Sequence, residues 1–268
     1  MSKRAIILGC GPAAMLAAHQ LNRDHGFANH DIQFKTLSAE PSPIGGAQYL
    51  HLPMVDEDAE PDAILEFIKI GSPEGYAEKV YGSGDVPTSW GEYGGQQKAW
   101  RLQQNYTALF SRFSRQIEGG FRATPASVHD LLVGVGMGER RTTLVLSSVP
   151  ASHICKRPDL HSFGRANILI KKEKPDFIST DNVVIYSGRP EEKWYRACKL
   201  FGQCWTEYAH FDAPDGGYIT GFKPLGTDCN CFPTVHRIGR FGTWDRKVLL
   251  TDVTTQVNEA VAKLEMQP

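Results

Sequence analysis

Six residues near the start, Gly9-Cys10-Gly11-Pro12-Ala13-Ala14, have the types and spacing that cradle a diphosphate. Gly9-x-Gly11-x-x-Ala14 matches the dinucleotide fingerprint with its permitted alanine in third place. Gly9 allows a tight turn, Gly11 lets backbone N–H groups approach a pyrophosphate, and Ala14 lets a helix pack closely on a strand. Pro12 suits the first helical turn, where its missing N–H would be unpaired anyway. The chemistry is anion binding at a helix N-terminus. A plain glycine-rich turn between strand and helix would read the same way, so the motif needs a second signal.

Glu40 offers one. It lies just beyond an apolar-rich strand of Ile32, Phe34 and Leu37, where a carboxylate grips a ribose diol. A solvated loop carboxylate is the alternative. Tyr49 and His51 follow the Gly45-Gly46 turn, and histidine can move a proton near neutral pH or simply pair within its loop. Trp194, Tyr195 and Arg196 could line a substrate site, Arg196 holding a carboxylate or phosphate bidentately, or they could be packed strand residues. Lys223 could hold an activated water or an acidic substrate, or stand exposed. Cys229-Asn230-Cys231 invites a metal or redox reading, but zinc needs two further ligands and His236 is the one neighbour in sequence. No CxxC occurs, so no metal site is assigned and the cysteines read as mainly structural, with Cys10 in a variable slot of the fingerprint. No Walker lysine follows the glycines and there is no Gly-x-Ser-x-Gly elbow, which excludes the common NTPase and hydrolase patterns.

The elements that must position these groups follow from periodicity. Ala5 to Leu8 is apolar on both sides of the pleat, as in a central parallel strand covered by helices. Met15, Leu16, Ala18 and Leu21 continue at helical spacing. Residues 52–120 are rich in loop formers, and the spacing of Trp100, Tyr106, Leu109, Phe110 and Phe113 predicts one helix over 97–116. A short helix is expected over 127–133 and a buried strand over 143–151. The segments NILIKK, NVVIYSG, WYRACKLFG and CWTEYAHF read as strands of an antiparallel sheet over about residues 152–225. Val235 to Ile238 reads as a short strand, Gly239 to Gly242 as a turn, and Asp252 to Leu264 as an amphipathic helix. The 268 residues carry a net charge of -1, so no global basic footprint for nucleic acid exists, though a local patch is not excluded. No run approaches the roughly 20 apolar residues of a membrane span. With no signal region at the start and six unevenly spaced cysteines, a reduced, cytoplasmic protein is expected.

Taken with the acidic strand end, EPSPIGGAQYLH resembles the two-dinucleotide-binding-domain flavoproteins, in which an acid followed by Gly-Gly continues the FAD site. Gly239-Arg240-Phe241-Gly242-x-Trp244 resembles the closing FAD segment of their UDP-galactopyranose mutase and amine-oxidase branch. The resemblance implies an α/β fold: a Rossmann-like FAD-binding domain with a parallel sheet (1–52, 120–151 and 226–268), a helical and loop insertion (53–119), and an inserted antiparallel-sheet substrate domain (152–225). It implies FAD contacts from Gly9, Gly11, Pro12, Ala13, Ala14, Glu40, Gly45, Gly46, Gln48, Ser148, Pro150, Gly239, Arg240, Phe241 and Gly242, with Trp244 beside the isoalloxazine. Candidate catalytic residues are Tyr49, His51, Arg196 and Lys223. No second GxGxxG follows, so a dedicated NAD(P)H-binding domain is not expected. Over nearly its full length the chain also looks like small flavoprotein-like proteins of actinobacteria and their phages, through GAQYLH, WYRA, KPLGTDCNCFP and GRFGTW. The implied activity is oxidation of a small polar, amine or amino-acid-like substrate. A redox-neutral lyase or mutase, a partner such as a modified nucleotide or DNA base, and a non-catalytic dinucleotide-binding module are the alternatives.

Overall fold

Ala5-Ile6-Ile7-Leu8 has no polar side chain to offer either face, and all four residues are fully buried in strand β1 (Arg4–Leu8). The computed structural model describes residues 3–46, 48–82, 90, 94–136, 142–209 and 216–266. The chain divides into two units, one of residues 1–42, 104–164 and 226–268 and one of residues 43–103 and 165–225.

In the first unit β1 is the middle strand of a five-stranded parallel sheet. β2 (Ile32–Lys35) and β6 (Thr143–Ser147) flank it, with β5 (Ile117–Glu118) and β12 (His236–Arg237) at the edges. Every strand therefore ends on the same side, and the loops after β1, β2 and β6 share one edge of the sheet. Helix α1 (Pro12–Asp24) begins four residues after β1 and packs against the C-terminal helix, α6 (Asp252–Glu265). The α6 face of Val253, Val257, Ala260, Val261 and Leu264 is buried, as its spacing predicts. At about 1.5–3 kcal/mol for each fully buried Val or Leu side chain, this face anchors the end of the chain to the sheet. Between β12 and α6 the expected turn is a short helix, α5 (Gly239–Thr243).

β2 is shorter than the sequence predicts. It ends at Lys35, and Leu37 is 68% exposed because the chain turns at Thr36, whose side chain points inward to Cys10. The helix predicted over 97–116 is also divided. Gly95–Ala99 forms β4, Trp100 exchanges backbone hydrogen bonds with Leu50, and α3 begins only at Leu102 and runs to Arg112. Tyr106, Leu109, Phe110 and Phe113 are buried as one stripe, while Trp100 belongs to the other unit. Helix α4 (Pro125–Gly134) extends the predicted short helix and is capped by Thr124, which accepts from the Ser127 N–H.

The second unit holds a seven-stranded sheet in the order β11-β7-β10-β9-β8-β3-β4. Its strands are β3 (Ala63–Gly71), β4, β7 (Phe163–Lys171), β8 (Val183–Gly188), β9 (Trp194–Leu200), β10 (Gln203–Ala209) and β11 (Tyr218–Thr227). It is mixed rather than purely antiparallel, because β3 runs parallel to β8. β3 lies where loop formers dominate the composition. Its Ala63, Leu65 and Phe67 are buried while Ile64 is half exposed, an alternation hidden between acidic and proline-rich flanks. Helix α2 (Pro73–Tyr81) covers β8. The last two residues of CWTEYAHF lie outside the described residues. Among the described residues no helix is long and apolar enough to cross a membrane.

The parallel sheet and α5 meet at a contact with no spare room. A Cβ on Gly242 would lie 2.3 Å from the Ser147 carbonyl oxygen, which also accepts the Ile238 N–H at 2.9 Å. Backbone cannot yield as a side chain does. Gly242→Ala is expected to cost about 1–3 kcal/mol, read as a lower urea midpoint with unchanged slope.

Candidate functional site

The first unit gathers the predicted small residues at the carboxyl end of β1. Gly9 takes φ +93, and its N–H donates to the Lys35 carbonyl at 2.9 Å, closing the turn out of the strand. Ser148, just past β6, holds the same turn: its N–H and its hydroxyl both donate to the Leu8 carbonyl, at 3.0 and 3.1 Å. A Cβ on Gly9 would stand 2.7 Å from the Ser148 Oγ. Gly239, φ +67, rests against the first turn of α1, where its own Cβ would fall 2.6 Å from the Ala13 Cβ. The two glycine motifs at opposite ends of the sequence are thus neighbours in space.

Gly11 is the N-cap of α1. As a glycine it brings no side-chain cap, no acidic residue occupies the first turn, and among the described residues a Cβ on Gly11 would meet nothing within 4 Å. The first-turn N–H groups of a helix have no intrahelical partners, and they carry the positive end of the helix dipole. Open space, uncapped donors and positive potential coincide here. This arrangement fits a diphosphate, with Ala13 and Ala14 supplying the amides after Pro12.

Other residues of the resemblance are placed differently. The Gly239 N–H is already given to Gln256 Oε1 at 2.7 Å, and Arg240 Nε donates to the Val248 carbonyl at 3.1 Å. Trp244 is buried in a left-handed conformation, its Nε1–H donating to the Gly164 carbonyl at 2.9 Å and its ring edge-on to Phe163. That is a core position. Phe241 is exposed, and the Pro150 carbonyl accepts the His153 N–H at 2.8 Å. Glu40 is exposed beyond the end of β2, its backbone N–H donating to Ser38 Oγ. Tyr106, read from the sequence only as core, ties this loop to the fingerprint: its hydroxyl donates to the Cys10 carbonyl at 3.1 Å and accepts the Ser42 N–H at 3.2 Å. A surface depression lined by Arg4, His30, Arg115 and Glu118 lies at the sheet's other end, where α/β folds do not bind ligands.

In the second unit the predicted residues meet around one that spacing did not single out, Glu207. It is fully buried and ion-paired to Arg196. The Tyr195 hydroxyl donates to its other oxygen at 2.9 Å. Lys223 Nζ lies 4.5 Å from the centre of the Tyr195 ring and acts electrostatically on Glu207. Tyr186 bonds both Arg196 and Tyr49, which joins Tyr49 to the cluster. The Tyr49 ring in turn stands edge-on to His51 at 4.9 Å. Gly46, φ +84, passes so close that its Cβ would lie 3.1 Å from Glu207 Oε1, and Gly45 lies against Trp205 and Ile219. Gln48 is exposed, its N–H bonded to the Gly46 carbonyl. Trp194 does not join the cluster; it stacks on Phe177.

Burial alone would push the Glu207 carboxyl up, but the Arg196 and Lys223 charges reverse this and hold it below the ordinary carboxylate range. Burial also opposes the Arg196 charge, and Glu207 restores it, raising the guanidinium well above its usual value. Arg196 Nε nevertheless remains buried without a hydrogen-bond partner among the described residues. His51 is shifted down by burial, with a bond to Gln97 opposing, so it is neutral near pH 7.

A signal for Glu207 was present. Phe201 and Gly202 both take positive φ, as a two-residue type I′ hairpin needs, and this turn sets Arg196 directly across from Glu207.

No family model matches the chain, and no curated protein matches it. Its fold does match solved structures. A crystal structure of reduced UDP-galactopyranose mutase superposes with a TM-score of 0.59 at 10% sequence identity, covering 99% of this chain and 96% of that one. A flavoprotein/dehydrogenase from Cytophaga hutchinsonii gives 0.53 at 10% identity, covering 99% and 79%. The tetrameric form of 2-methyl-3-hydroxypyridine-5-carboxylic acid oxygenase gives 0.51 at 11% identity, covering 98% and 86%. The chain shares their α/β architecture of a parallel sheet and a separate mixed sheet.

Removing the negative charge strands a buried guanidinium. Glu207→Gln is expected to lose about 3–5 kcal/mol of stability at neutral pH. Because the folded carboxyl is held below its ordinary 4.5, its contribution is complete above that value and is lost as pH falls through the lowered pKa. Denaturant titrations across the acid range should show this limb in the native protein and a weaker one in the variant.

Proposed function

We propose that the chain binds FAD through its first unit and is a flavin-dependent enzyme acting on a small polar substrate that carries an anionic group, of the amine or amino-acid class. The observation that carries the reading is the uncapped N-terminus of α1, with open space at Gly11 and with Gly9, Ser148 and Ala13 framing it. Ala13 and Ala14 would hold the diphosphate by their amides, and the exposed Glu40 carboxylate suits ribose hydroxyls. Bound FAD would supply two-electron chemistry at a substrate C–H.

The chain's own residues bind and manage protons. Arg196 and Lys223 both act on the Glu207 carboxylate, and a guanidinium beside an ammonium suits a substrate carboxylate or phosphate. The unpartnered Nε of Arg196 adds a donor. His51, held neutral at pH 7 by burial, offers an imidazole nitrogen as a proton acceptor, and the Tyr49 ring packs edge-on against it. A redox-neutral rearrangement is the second reading, supported by the match over 96% of the length of UDP-galactopyranose mutase.

The visible spectrum of the purified protein, with and without added FAD, tests the cofactor. Oxidised flavin bands are expected; a colourless protein that ignores FAD in a titration would overturn the reading. Gly11→Ala sits in open space at an ordinary φ of −70, so its stability should fall only by the roughly 1 kcal/mol that alanine costs at an N-cap. Its FAD affinity should nevertheless fall about tenfold or more, because the methyl group takes up the approach to the amides. Bleaching by an amine or amino acid supports oxidation, whereas turnover only after prior reduction favours the rearrangement. Mass change in nucleosides released from modified DNA would move the substrate to a DNA base, and tight FAD that no donor reduces would leave a non-catalytic module.

A further inference from the structure

Three cysteines and a histidine from two distant segments converge in the first unit. Cys155 and His161 follow β6, on the path to β7; Cys229 and Cys231 follow β11, on the path to β12. Their four ligand atoms all lie within 4.8 Å of one another. Cys155 Sγ stands 3.2 Å from His161 Nδ1 and 3.8 Å from Cys231 Sγ, and Cys231 Sγ stands 3.5 Å from the same nitrogen. A tetrahedral zinc with Zn–S near 2.3 Å and Zn–N near 2.0 Å needs sulfur–sulfur edges of about 3.8 Å and sulfur–nitrogen edges of about 3.5 Å. The three edges among Cys155, His161 and Cys231 lie within about 0.3 Å of those values, and Cys229 Sγ stands within 4.8 Å of all three atoms.

We propose that Cys155, His161, Cys229 and Cys231 form a closed, four-coordinate structural zinc site. Spacing along the chain conceals it. Cys229 and Cys231 have no CxxC partner, and His236, their neighbour in sequence, is not part of the cluster; the missing ligands come from about 70 residues upstream. The Cys-x-Cys pair lies in the turn after β11 rather than on a strand, so both thiols can face one point. Binding exchanges three thiol protons, released to solvent, for one Zn2+, leaving three thiolates and a neutral imidazole with a net charge of −1. Arg237 answers that charge. It donates to Cys229 Sγ at 3.3 Å and to the Cys229 carbonyl at 2.7 Å, the outer-shell support that orients a ligand. Cys155 and Cys229 are buried, which closes the site to substrate and favours a structural role.

The site also has a definite place in the chain. The polypeptide leaves the first unit after Gly164 and returns at Gly226. Beside the cluster the outgoing and returning segments are already clasped, Ser162 N–H to Asp228 Oδ1 at 3.0 Å and Thr227 hydroxyl to the Ser162 carbonyl at 2.7 Å. A zinc ion would lock that clasp.

Elemental analysis of full-length protein, purified without chelator and under reducing conditions, should give about one zinc per chain. Cobalt substitution should produce the intense thiolate-to-cobalt charge-transfer and tetrahedral ligand-field bands. All three thiols should resist alkylation until a chelator is added, and the chelator should lower the melting temperature. Cys231→Ser should lose the metal, whereas His236→Ala should keep it. Where a cysteine variant fails to fold, the native protein's metal content and cobalt spectrum still decide. Zinc-free protein that takes up neither zinc nor cobalt would overturn the proposal, as would a Cys155–Cys231 disulfide found by mass after alkylation.

Discussion

Steric exclusion at the carboxyl end of β1 is the constraint on which the first unit depends. Four backbone segments converge there: the turn after β1, the start of α1, the end of β6 and the short helix α5. They can meet because Gly9, Gly239 and Gly242 present hydrogens where any other residue would place carbon 2.3–2.7 Å from a neighbour. Gly11 is the exception, and it is instructive. Its missing side chain leaves no clash relieved inside the protein. Three glycines build the cradle, and the fourth keeps it empty.

The second unit depends instead on electrostatics. Taking a carboxylate and a guanidinium out of water costs several kcal/mol per ion, which their attraction repays only with close geometry and further hydrogen bonds. Glu207 has both: a guanidinium on one oxygen, a tyrosine hydroxyl on the other, and an ammonium nearby. Such a pair seldom adds net stability over apolar residues of the same size. Net stability alone therefore does not account for its presence in this sheet.

Much of the first unit was legible in the sequence, because its signals are local. The apolar run of β1, the fingerprint, the face of α6 and the strand before Ser148 each need only a dozen residues to be recognised. The failures have physical causes. β3 was missed because its alternation is short and lies between acidic, proline-rich flanks; the helix over 97–116 was overdrawn because Trp100 continues the apolar stripe of α3 while belonging to another unit. Trp244 shows the two uses of an aromatic residue beside a glycine turn: it is buried and its indole N–H is given to the Gly164 carbonyl, neither of which the local pattern reveals. Arg196 and Lys223 were chosen for their chemistry alone. Their common partner, Glu207, required the register of a hairpin, and register was not read.

Loop closure explains why the segment around Ser162 and Thr227 is built as it is. Roughly sixty residues leave and return between Gly164 and Gly226. Bringing the ends of so long a segment together costs on the order of 4 kcal/mol from the logarithmic term alone. Two hydrogen bonds at the clasp, at about 1 kcal/mol net each, fall short of that. Pairing of β7 with β11 contributes, but it lies in the sheet and not at the junction itself. A bond network that acts at the junction would add to the two hydrogen bonds. Four ligand atoms drawn from both sides of the junction stand where such a network is most effective.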